Sequence, residues 1–388
     1  MLKIPFSKIS CQGNELKYIT EVLESGWLTT AGKAQRFEQL FAEKIQAKHA
    51  CAVNSCTAAL HLGLEALGVK PGDKVFVPDM TFTATAKVIR YLDADPVFLD
   101  VEYGTQLISP QILQEAIDKH PDVKYLIVVH YGGHPAEMVN GQGTGIMDIC
   151  KRHGIKVMED AAHSFPAAVH GIPIGGIADV TCFSFYANKT ITTGEGGMLA
   201  TNDDEIYKRV KTMRLHGINR DVWDRFTSDK PSWEYDVVAP GYKYNMPDLN
   251  AAIGLAQLEY ADQMRVERQR VALFYYDRLN TLPMVDLPGC KVPHADHAWH
   301  LFPIVLNEKS PVSRNEFIEK MSEKGIGTSV HYKPMHRMTY YKSRYGLSPD
   351  NFPVAEKIWK GNVSLPIYPL LTDGDLEYVV ESVNAVLG

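Results

Sequence analysis

Residues 73–100 read DKVFVPDMTFTATAKVIRYLDADPVFLD and contain two short apolar runs separated by a helical stretch. The runs DKVFVP and DPVFLD have the length of strands, are rich in Val and Phe, and are bounded by Asp and Pro, as buried strands commonly are. The segment therefore predicts two strands of a sheet joined by a helix.

The same alternation continues outward from this segment in both directions. Upstream lie a helical stretch at 35–47, the apolar run HACAVN at 49–54 and a helix at 56–67. Downstream the runs KYLIVVH, IKVMED and VTCFSFY each have the length of a strand, and turns or helical stretches separate them. We therefore predict an α/β protein with a mostly parallel central sheet and helices on both faces.

The C-terminal third has a different pattern. Residues 247–281 show the periodicity of one long helix that leads away from the sheet. The short apolar run PIVL, a helix near 313–324 and the segment GIGTSVHY follow it. We expect a large α/β domain at 1–250, including an N-terminal arm, and a linking helix with a smaller α+β domain at 251–388.

The bulk composition excludes several classes of protein. With 388 residues, 45% hydrophobic and 22% charged, the chain is long enough for two domains with substantial cores. A net charge of −6 offers no basic excess to neutralise the phosphates of nucleic acid or an anionic membrane. The N-terminus lacks the pattern of a signal peptide, and six scattered cysteines suit reduced thiols, so we expect a cytoplasmic protein.

Several polar and aromatic residues follow the predicted strands, where ligands bind in parallel α/β sheets. Ser55, Cys56 and Thr57 open a helix whose first N–H groups favour a phosphate, although Ser is also an ordinary helix cap. Phe82 would either stack on a flat cofactor or fill the core. Asp160 would either hold a protonated heteroaromatic nitrogen or cap a helix.

Lys189 follows the predicted strand VTCFSFY and precedes a glycine-rich turn at 194–197. Partial burial there would lower the pKa of its amine and free it as a nucleophile for a Schiff base. A single lysine after a strand is usually a solvated loop residue. Together with Asp160, Phe82 and the helix start at Cys56, however, it forms a set at the strand ends that indicates pyridoxal chemistry.

Four ordered motifs resemble the DegT/StrS family of pyridoxal-phosphate (PLP) nucleotide-sugar aminotransferases, over essentially the entire chain. They are SGWLTTAGKAQRFE at 25–38, EDAAH at 159–163, FSFYANKTITTGEGG at 183–197 and GYKYNMPDLNAAIG at 241–254. Within the family, AWHLFPIVL, GINRDVWDR and GIGTSVHY are most similar to UDP-4-amino-4-deoxy-L-arabinose aminotransferases. The resemblance implies a fold-type-I transferase that acts as a homodimer with active sites shared between subunits.

The resemblance also implies which residues are catalytic. Lys189 would carry PLP as a Schiff base, and Asp160 would pair with the pyridinium nitrogen. His163 would border the phenolic oxygen of the cofactor or the substrate. Phe82 would lie against the cofactor ring.

The cofactor phosphate would be held at the start of the helix by Cys56 and Thr57, by Ser184, and by an asparagine of the partner subunit. Many members of the family read GYNYR where this chain reads GYKYN. The usual asparagine position is therefore Lys243, so either Lys243 or Asn245 would make the contact between subunits, and we favour Asn245.

The segment HYKPMH is the expected substrate-binding part of the smaller domain. His331, Tyr332, Lys333 and His336 would face the cofactor and contact the sugar or the diphosphate. The alternative is that they form a polar surface loop.

The chain also contains patterns that point to other chemistries. His294, His297 and His300 are regularly spaced, but no nearby cysteine or carboxylate completes a familiar site, so we expect no metal. They would instead flank the substrate or the interface of the smaller domain. The segment GQGTG lacks the G-x-G-x-x-G spacing, which excludes a nicotinamide enzyme.

The resemblance implies transfer of an amino group from L-glutamate to a keto sugar attached to a nucleotide. A 4-keto sugar on UDP is favoured, for surface polysaccharide, lipid A or related amino-sugar biosynthesis, and a 3-keto sugar is the alternative. Relatives that dehydrate sugars have histidine in place of the lysine, and others are regulators without catalysis. The presence of Lys189 and Asp160 favours transamination.

Overall fold

A seven-stranded sheet forms the centre of the fold in the computed structural model, which describes residues 3–219 and 235–388. The sheet and a small hairpin consist of β1 (His49–Val53), β2 (Lys74–Pro78), β3 (Asp95–Leu99), β4 (Tyr125–Val129), β5 (Lys156–Asp160), the hairpin β6 (Ala168–Val169) and β7 (Ile172–Pro173), β8 (Val180–Ser184) and β9 (Gly197–Thr201). The strand order in the sheet is β1-β9-β8-β5-β4-β2-β3. Among the described strands of this sheet, β9 alone runs opposite to the other six, so the prediction of a mostly parallel sheet is confirmed.

Helices cover both faces of this sheet. They are α1 (Glu15–Ser25), α2 (Gly32–Lys44), α3 (Cys56–Leu67), α4 (Thr83–Tyr91), α5 (Pro110–Lys119), α6 (Ile146–His153), α7 (Asp204–Met213) and α8 (Asp248–Leu258). Side chains along a strand point alternately to the two faces. Accordingly Val75 and Val77 pack in the core under α3, α4 and α7, whereas Phe76 packs in the core on the opposite face.

A second, smaller sheet lies C-terminal to the first. It consists of β10 (Val285–Asp286), β11 (Phe302–Leu306) and β12 (Asn362–Leu365), all antiparallel, in the order β10-β11-β12. The accompanying helices are α9 (Ala261–Leu279), α10 (Arg314–Glu323), α11 (Thr339–Tyr345), α12 (Pro353–Gly361) and α13 (Asp373–Leu387).

The large sheet and the smaller sheet each have a hydrophobic core, and α9 contributes side chains to both. Met264 belongs to the core of the large sheet, while Val271 belongs to the core around the smaller sheet. Ile4 also packs in the smaller core, and its N–H donates to the Gly325 carbonyl at 2.9 Å. The N-terminal arm therefore returns to the C-terminal part of the chain.

The prediction of a single long helix at 247–281 is wrong. The structure has two helices there, α8 and α9, separated by Glu259 and Tyr260. The sequence has no Gly or Pro there that would mark a break. The Glu259 carboxylate accepts hydrogen bonds from Asn14 at 2.8 Å and from Tyr18 at 2.6 Å. These contacts fix the N-terminal segment against the end of α8, a constraint that local periodicity does not contain.

Within the described ranges, no helix is both long enough and apolar enough to cross a membrane. Residues 220–225 of the motif GINRDVWDR lie outside those ranges.

Candidate active site

The carboxyl ends of the central strands meet at a cavity of about 520 Å³. Most of the residues predicted for the site line this cavity: Cys56, Thr57, Phe82, Asp160, His163, Ser184, Lys189, His331 and Tyr332. They come from β5, β8, the starts of α3 and α4 and the segment before α11. The topology therefore gathers residues that are far apart in the sequence at one edge of the sheet.

Asp160 is the last residue of β5 and is buried at the floor of the cavity. One carboxylate oxygen accepts from the Thr85 hydroxyl at 2.7 Å, and the other accepts from the Ala162 N–H at 3.1 Å. Burial raises the pKa of Asp160, and these two hydrogen bonds together with the charge of Lys189 oppose that shift. A buried carboxylate of this kind fits a cationic partner such as a protonated pyridine nitrogen.

Lys189 projects into the same cavity and is partly buried. Its Nζ lies 3.5 Å from Nε2 of His300. Burial lowers the pKa of Lys189 to about 8, although the neighbouring Cys56 and Asp160 favour its charged form. A pKa near 8 leaves about a tenth of the amine unprotonated at pH 7, and this fraction can act as a nucleophile or base.

The start of α3 forms the opposite wall of the cavity. The Ser55 hydroxyl accepts from the Ala58 N–H at 3.1 Å, which caps the helix. The N–H groups of Cys56 and Thr57 have no acceptor within the helix, because the first turn of a helix leaves its donors unpaired. With the Ser184 hydroxyl across the cavity, they form a donor set that suits a phosphate.

Gly197, the first residue of β9, allows this wall to lie close to the sheet. A Cβ atom at Gly197 would lie 2.5 Å from the carbonyl carbon of Ser55 and 2.6 Å from the nitrogen of Cys56. Any side chain would therefore push the start of α3 away. The glycine-rich turn that follows Lys189 thus has a steric role at the phosphate end of the site.

His163 and Tyr332 form a hydrogen-bonded pair at the cavity. Nδ1 of His163 accepts from the Gly132 N–H at 3.2 Å, and Nε2 lies 2.9 Å from the Tyr332 hydroxyl. Burial lowers the pKa of His163 well below its usual value, so the ring is neutral. Because Nδ1 is an acceptor, the single ring proton is on Nε2 and is donated to the Tyr332 oxygen.

The other predicted substrate contacts divide into two groups. His331 and Tyr332 line the cavity, and the ring centroids of Tyr332 and Phe82 lie 5.7 Å apart. Burial lowers the pKa of His331 to about 3, and its Nδ1 lies 2.8 Å from the Ser364 hydroxyl. Lys333 is exposed and is not among the residues that line the cavity.

The expectation that His336 contacts the substrate is corrected by its position. Its side chain is fully buried, with Nδ1 2.6 Å from Asp79 and Nε2 3.2 Å from Glu356. Both ring nitrogens therefore have carboxylate partners, and neither can reach a ligand in the cavity. His336 joins the end of β2 to α12 instead.

Asn245 and Lys243 do not line the cavity of their own chain. Nδ2 of Asn245 donates to the Thr30 hydroxyl at 2.7 Å, and its Oδ1 accepts from Lys243 Nζ at 2.6 Å. Asn245 borders a separate cavity of about 410 Å³ beside α7. A contact from either residue to the cofactor phosphate of a partner subunit stays a prediction.

His300 is the residue at the site that the sequence did not single out as catalytic. Its ring lies against His163 with centroids 4.4 Å apart, whereas His297 stacks on Trp299 at 3.8 Å. The histidine run therefore separates into residues with different environments. Among the residues that the structure describes, no group of three or more metal-ligating side chains occurs. Spacing alone could not have distinguished His300, because its loop is positioned by long-range packing.

Comparison with known proteins identifies this arrangement. The sequence pattern of the DegT/DnrJ/EryC1/StrS aminotransferase family matches residues 10–384. The chain is 41% identical over 388 residues to the spore coat polysaccharide biosynthesis protein SpsC of Bacillus subtilis, covering 99% of this chain and 97% of SpsC.

Solved structures agree with this assignment. The PLP form of Spr1654 from Streptococcus pneumoniae matches with a TM-score of 0.88 at 30% identity, covering 99% of this chain and 98% of that one. Helicobacter pylori PseC, an aminotransferase involved in the biosynthesis of pseudoaminic acid, matches with a TM-score of 0.88 at 26% identity and 99% coverage of both chains. The chain therefore belongs to the DegT/DnrJ/EryC1/StrS family and is a PLP-dependent sugar aminotransferase with the fold-type-I architecture.

Proposed function

We propose that the enzyme transfers an amino group from L-glutamate to the keto group of a 4-keto sugar attached to UDP. The observation that carries the catalytic part is the buried pair of Lys189 and Asp160 facing one cavity beside the donor groups of α3. The resemblance of AWHLFPIVL and GIGTSVHY to UDP-4-amino-4-deoxy-L-arabinose aminotransferases supports the choice of sugar. The polysaccharide role in the name of SpsC supports a biosynthetic setting.

The residues of the cavity would hold PLP by its two ends. Asp160 would bind the protonated ring nitrogen, and the start of α3 with Ser184 would bind the phosphate. Phe82 would lie against the ring, and His163 would border it from the side of the smaller domain. When bound, the cofactor supplies an electron sink that makes the carbon next to the transferred nitrogen acidic.

Lys189 would then act as the base that moves the proton in each half of the reaction. Its amine can accept a proton because burial holds its pKa near 8, within reach of physiological pH. Asp160 stays ionised once a cation is beside it and keeps the ring nitrogen protonated. The amino donor and the keto sugar would use the same cavity in turn.

The mouth of the cavity suits a ligand that is larger than a keto acid. Phe82 is 54% exposed and Tyr186 is 49% exposed in the single chain. Exposed aromatic rings beside a catalytic cavity offer stacking surfaces for a sugar or a base, or for a second subunit. We expect a homodimer in which the partner subunit covers this mouth and contributes Asn245 or Lys243.

A substrate panel tests the proposed reaction. The purified PLP form would be incubated with L-glutamate and with 3-keto and 4-keto sugars linked to UDP and to other nucleotides, and the products would be identified by mass and NMR. We expect an aminated 4-keto UDP-sugar. Amination only of 3-keto sugars would contradict the assigned position, and activity only on simple keto acids would contradict the sugar substrate.

The cofactor lysine is tested separately by borohydride reduction. Reduction of the PLP form should fix the cofactor on the peptide that contains Lys189, and Lys189→Arg should abolish this adduct because a guanidinium does not form the Schiff base. Lys333→Arg is the matched control, since Lys333 is exposed outside the cavity. Recovery of the adduct on another lysine would refute the assignment.

A further inference from the structure

His300 is buried next to the active-site cavity, which it does not line, and its ring contacts the amine of Lys189. The distance from its Nε2 to Lys189 Nζ is 3.5 Å, and its ring lies against His163. The other ring nitrogen, Nδ1, is buried and has no hydrogen-bond partner among the residues that the structure describes. Nε2 of this imidazole therefore faces the Lys189 amine, whereas Nδ1 is enclosed by protein atoms that offer it no hydrogen bond.

The ring of His300 is neutral. Burial is the largest cause and lowers its pKa well below the usual value. A neutral imidazole carries one proton, on either Nδ1 or Nε2. The functional consequence depends on which nitrogen carries it.

The surroundings favour a proton on Nε2. A proton on Nδ1 would leave a buried N–H without an acceptor, and buried N–H groups of this kind are rare in native proteins. A proton on Nε2 leaves Nδ1 as a lone pair and gives the N–H a partner in Lys189. That partner must be the neutral amine, because an ammonium group has no lone pair to accept a hydrogen bond.

Arg268 fixes the backbone that carries this imidazole. Its Nη1 donates to the carbonyls of Ile367 at 2.9 Å, His300 at 3.4 Å and Trp299 at 3.5 Å. The guanidinium is buried and makes no ion pair among the described residues, so it adds positive charge behind the site. Arg268 therefore restrains the position of His300 and also disfavours a second cation at Lys189.

The groups that influence the charge of Lys189 come from every element around the cavity. They are Cys56, Asp160, His163, Arg268, His300 and His331. Of these, His300 is the side chain with a nitrogen at hydrogen-bond distance from Nζ among the described residues.

We propose that His300 is a positioning residue that donates its Nε2–H to the amine of Lys189 and so stabilises the neutral form of the lysine when it is not bonded to the cofactor. A base must be unprotonated to accept a proton from the substrate. His300 thus prepares Lys189 for each proton transfer and directs its lone pair. The inference rests on the catalytic role proposed for Lys189 but is independent of the identity of the sugar.

Two substitutions distinguish a donor from an acceptor at this position. In His300→Gln the amide can turn its oxygen toward Lys189, which would stabilise the ammonium form. In His300→Phe the ring packing against His163 is retained without any nitrogen. The buried substitution His297→Gln, in the same histidine run but stacked on Trp299, is the matched control.

The measurement is the pH dependence of Lys189 acetylation in the full-length protein after removal of the cofactor, quantified by peptide mass spectrometry. If His300 is a donor, His300→Gln should raise the pKa of Lys189 by about one unit, which slows acetylation about tenfold below that pKa. His300→Phe removes the donor and should also raise the pKa of Lys189, whereas His297→Gln should behave as wild type. A lowered pKa in His300→Phe with no change in His300→Gln would identify His300 as an acceptor and overturn the proposal.

The tautomer can also be determined in the wild-type protein, without any substitution. In wild-type protein labelled with ¹⁵N-histidine, the nitrogen shifts of His300 should show a protonated Nε2 and an unprotonated Nδ1. The opposite pattern would refute the inference. Borohydride labelling of a lysine other than Lys189 would instead refute the proposed function, so the two failures are distinguishable.

Discussion

At the scale of single residues, Asp160 determines whether the cofactor can act as an electron sink. Asp160→Asn keeps the size of the side chain and one oxygen that can accept from Thr85, but it removes the negative charge. We expect kcat to fall by about 10²–10³-fold, because an electrostatic partner of the reacting system is lost. The unfolding midpoint should fall little, since a buried charge with a raised pKa is removed.

Glu159 provides a control for this substitution on the same strand. Glu159 precedes Asp160 in the sequence and is also buried, but it does not line the cavity. Its carboxylate accepts a hydrogen bond from the Thr181 hydroxyl at 2.5 Å and lies 3.2 Å from Nε2 of His130. Glu159→Gln should therefore reduce stability and leave kcat near the wild-type value. Near-normal turnover of Asp160→Asn, measured beside this control, would contradict the role assigned to Asp160.

The positions of individual site residues were predictable where they follow a strand. Asp160 and Lys189 could be located because the carboxyl ends of parallel strands meet at one edge of a sheet. His300 and His336 could not be assigned in this way. Their loops are positioned by contacts with Arg268 and with Asp79, which are remote in the sequence.

At the scale of elements, β9 lies close to the turn that opens α3. Gly197→Ala would place a Cβ atom 2.5 Å from the Ser55 carbonyl carbon, and the start of α3 would have to move. We expect a loss of about 1–3 kcal/mol of stability, as is usual for overpacking, together with weaker binding of PLP. Chemical unfolding and cofactor titration measure the two effects.

The first residue of α2 supplies a matched control for this prediction. A Cβ atom at Gly32 would meet no heavy atom within 4 Å, and the backbone there does not require glycine. Gly32→Ala should leave PLP affinity unchanged and stability equal or slightly higher. Equal PLP affinity in Gly197→Ala and wild type would show that the wall does not depend on this contact.

The elements themselves were predictable to different extents. α3 begins and ends where its periodicity and its cap predicted, because its apolar residues pack directly on the sheet. β9 was not predicted, since its short sequence GMLAT follows a glycine-rich turn and contains only one β-branched residue. The break between α8 and α9 has no Gly or Pro to mark it.

At the scale of the whole molecule, the segment that carries His331 and Tyr332 must be held against the large sheet for the site to be complete. His336 provides this link, because its ring lies between Asp79 at the end of β2 and Glu356 in α12. Its backbone N–H also donates to Asp79 at 2.8 Å. The histidine that was expected to bind substrate therefore joins two parts of the fold.

The charge of His336 makes this link dependent on pH. Burial opposes protonation of the ring, but the hydrogen bonds and charges of Asp79 and Glu356 outweigh burial and raise its pKa above 6.5. A raised folded pKa means that the stabilisation is fully present below the unfolded pKa and is lost as the pH rises through the folded pKa. Burial also raises the pKa of Asp79. Deprotonation of either Asp79 or His336 as the pH rises therefore lowers the free energy of unfolding.

His336→Gln should consequently destabilise the protein most on the acidic side of this transition. We expect a loss of about 3–5 kcal/mol below pH 6.5, because a charged partner of two buried carboxylates is removed. The difference from wild type should shrink as the pH rises through the folded pKa of His336. Urea unfolding at a series of pH values measures it, with exposed Lys333→Gln as the control that should show no such dependence. A difference that stays constant with pH would mean that the ring is neutral in the folded state throughout, and that the link between the two parts of the molecule is an uncharged hydrogen bond.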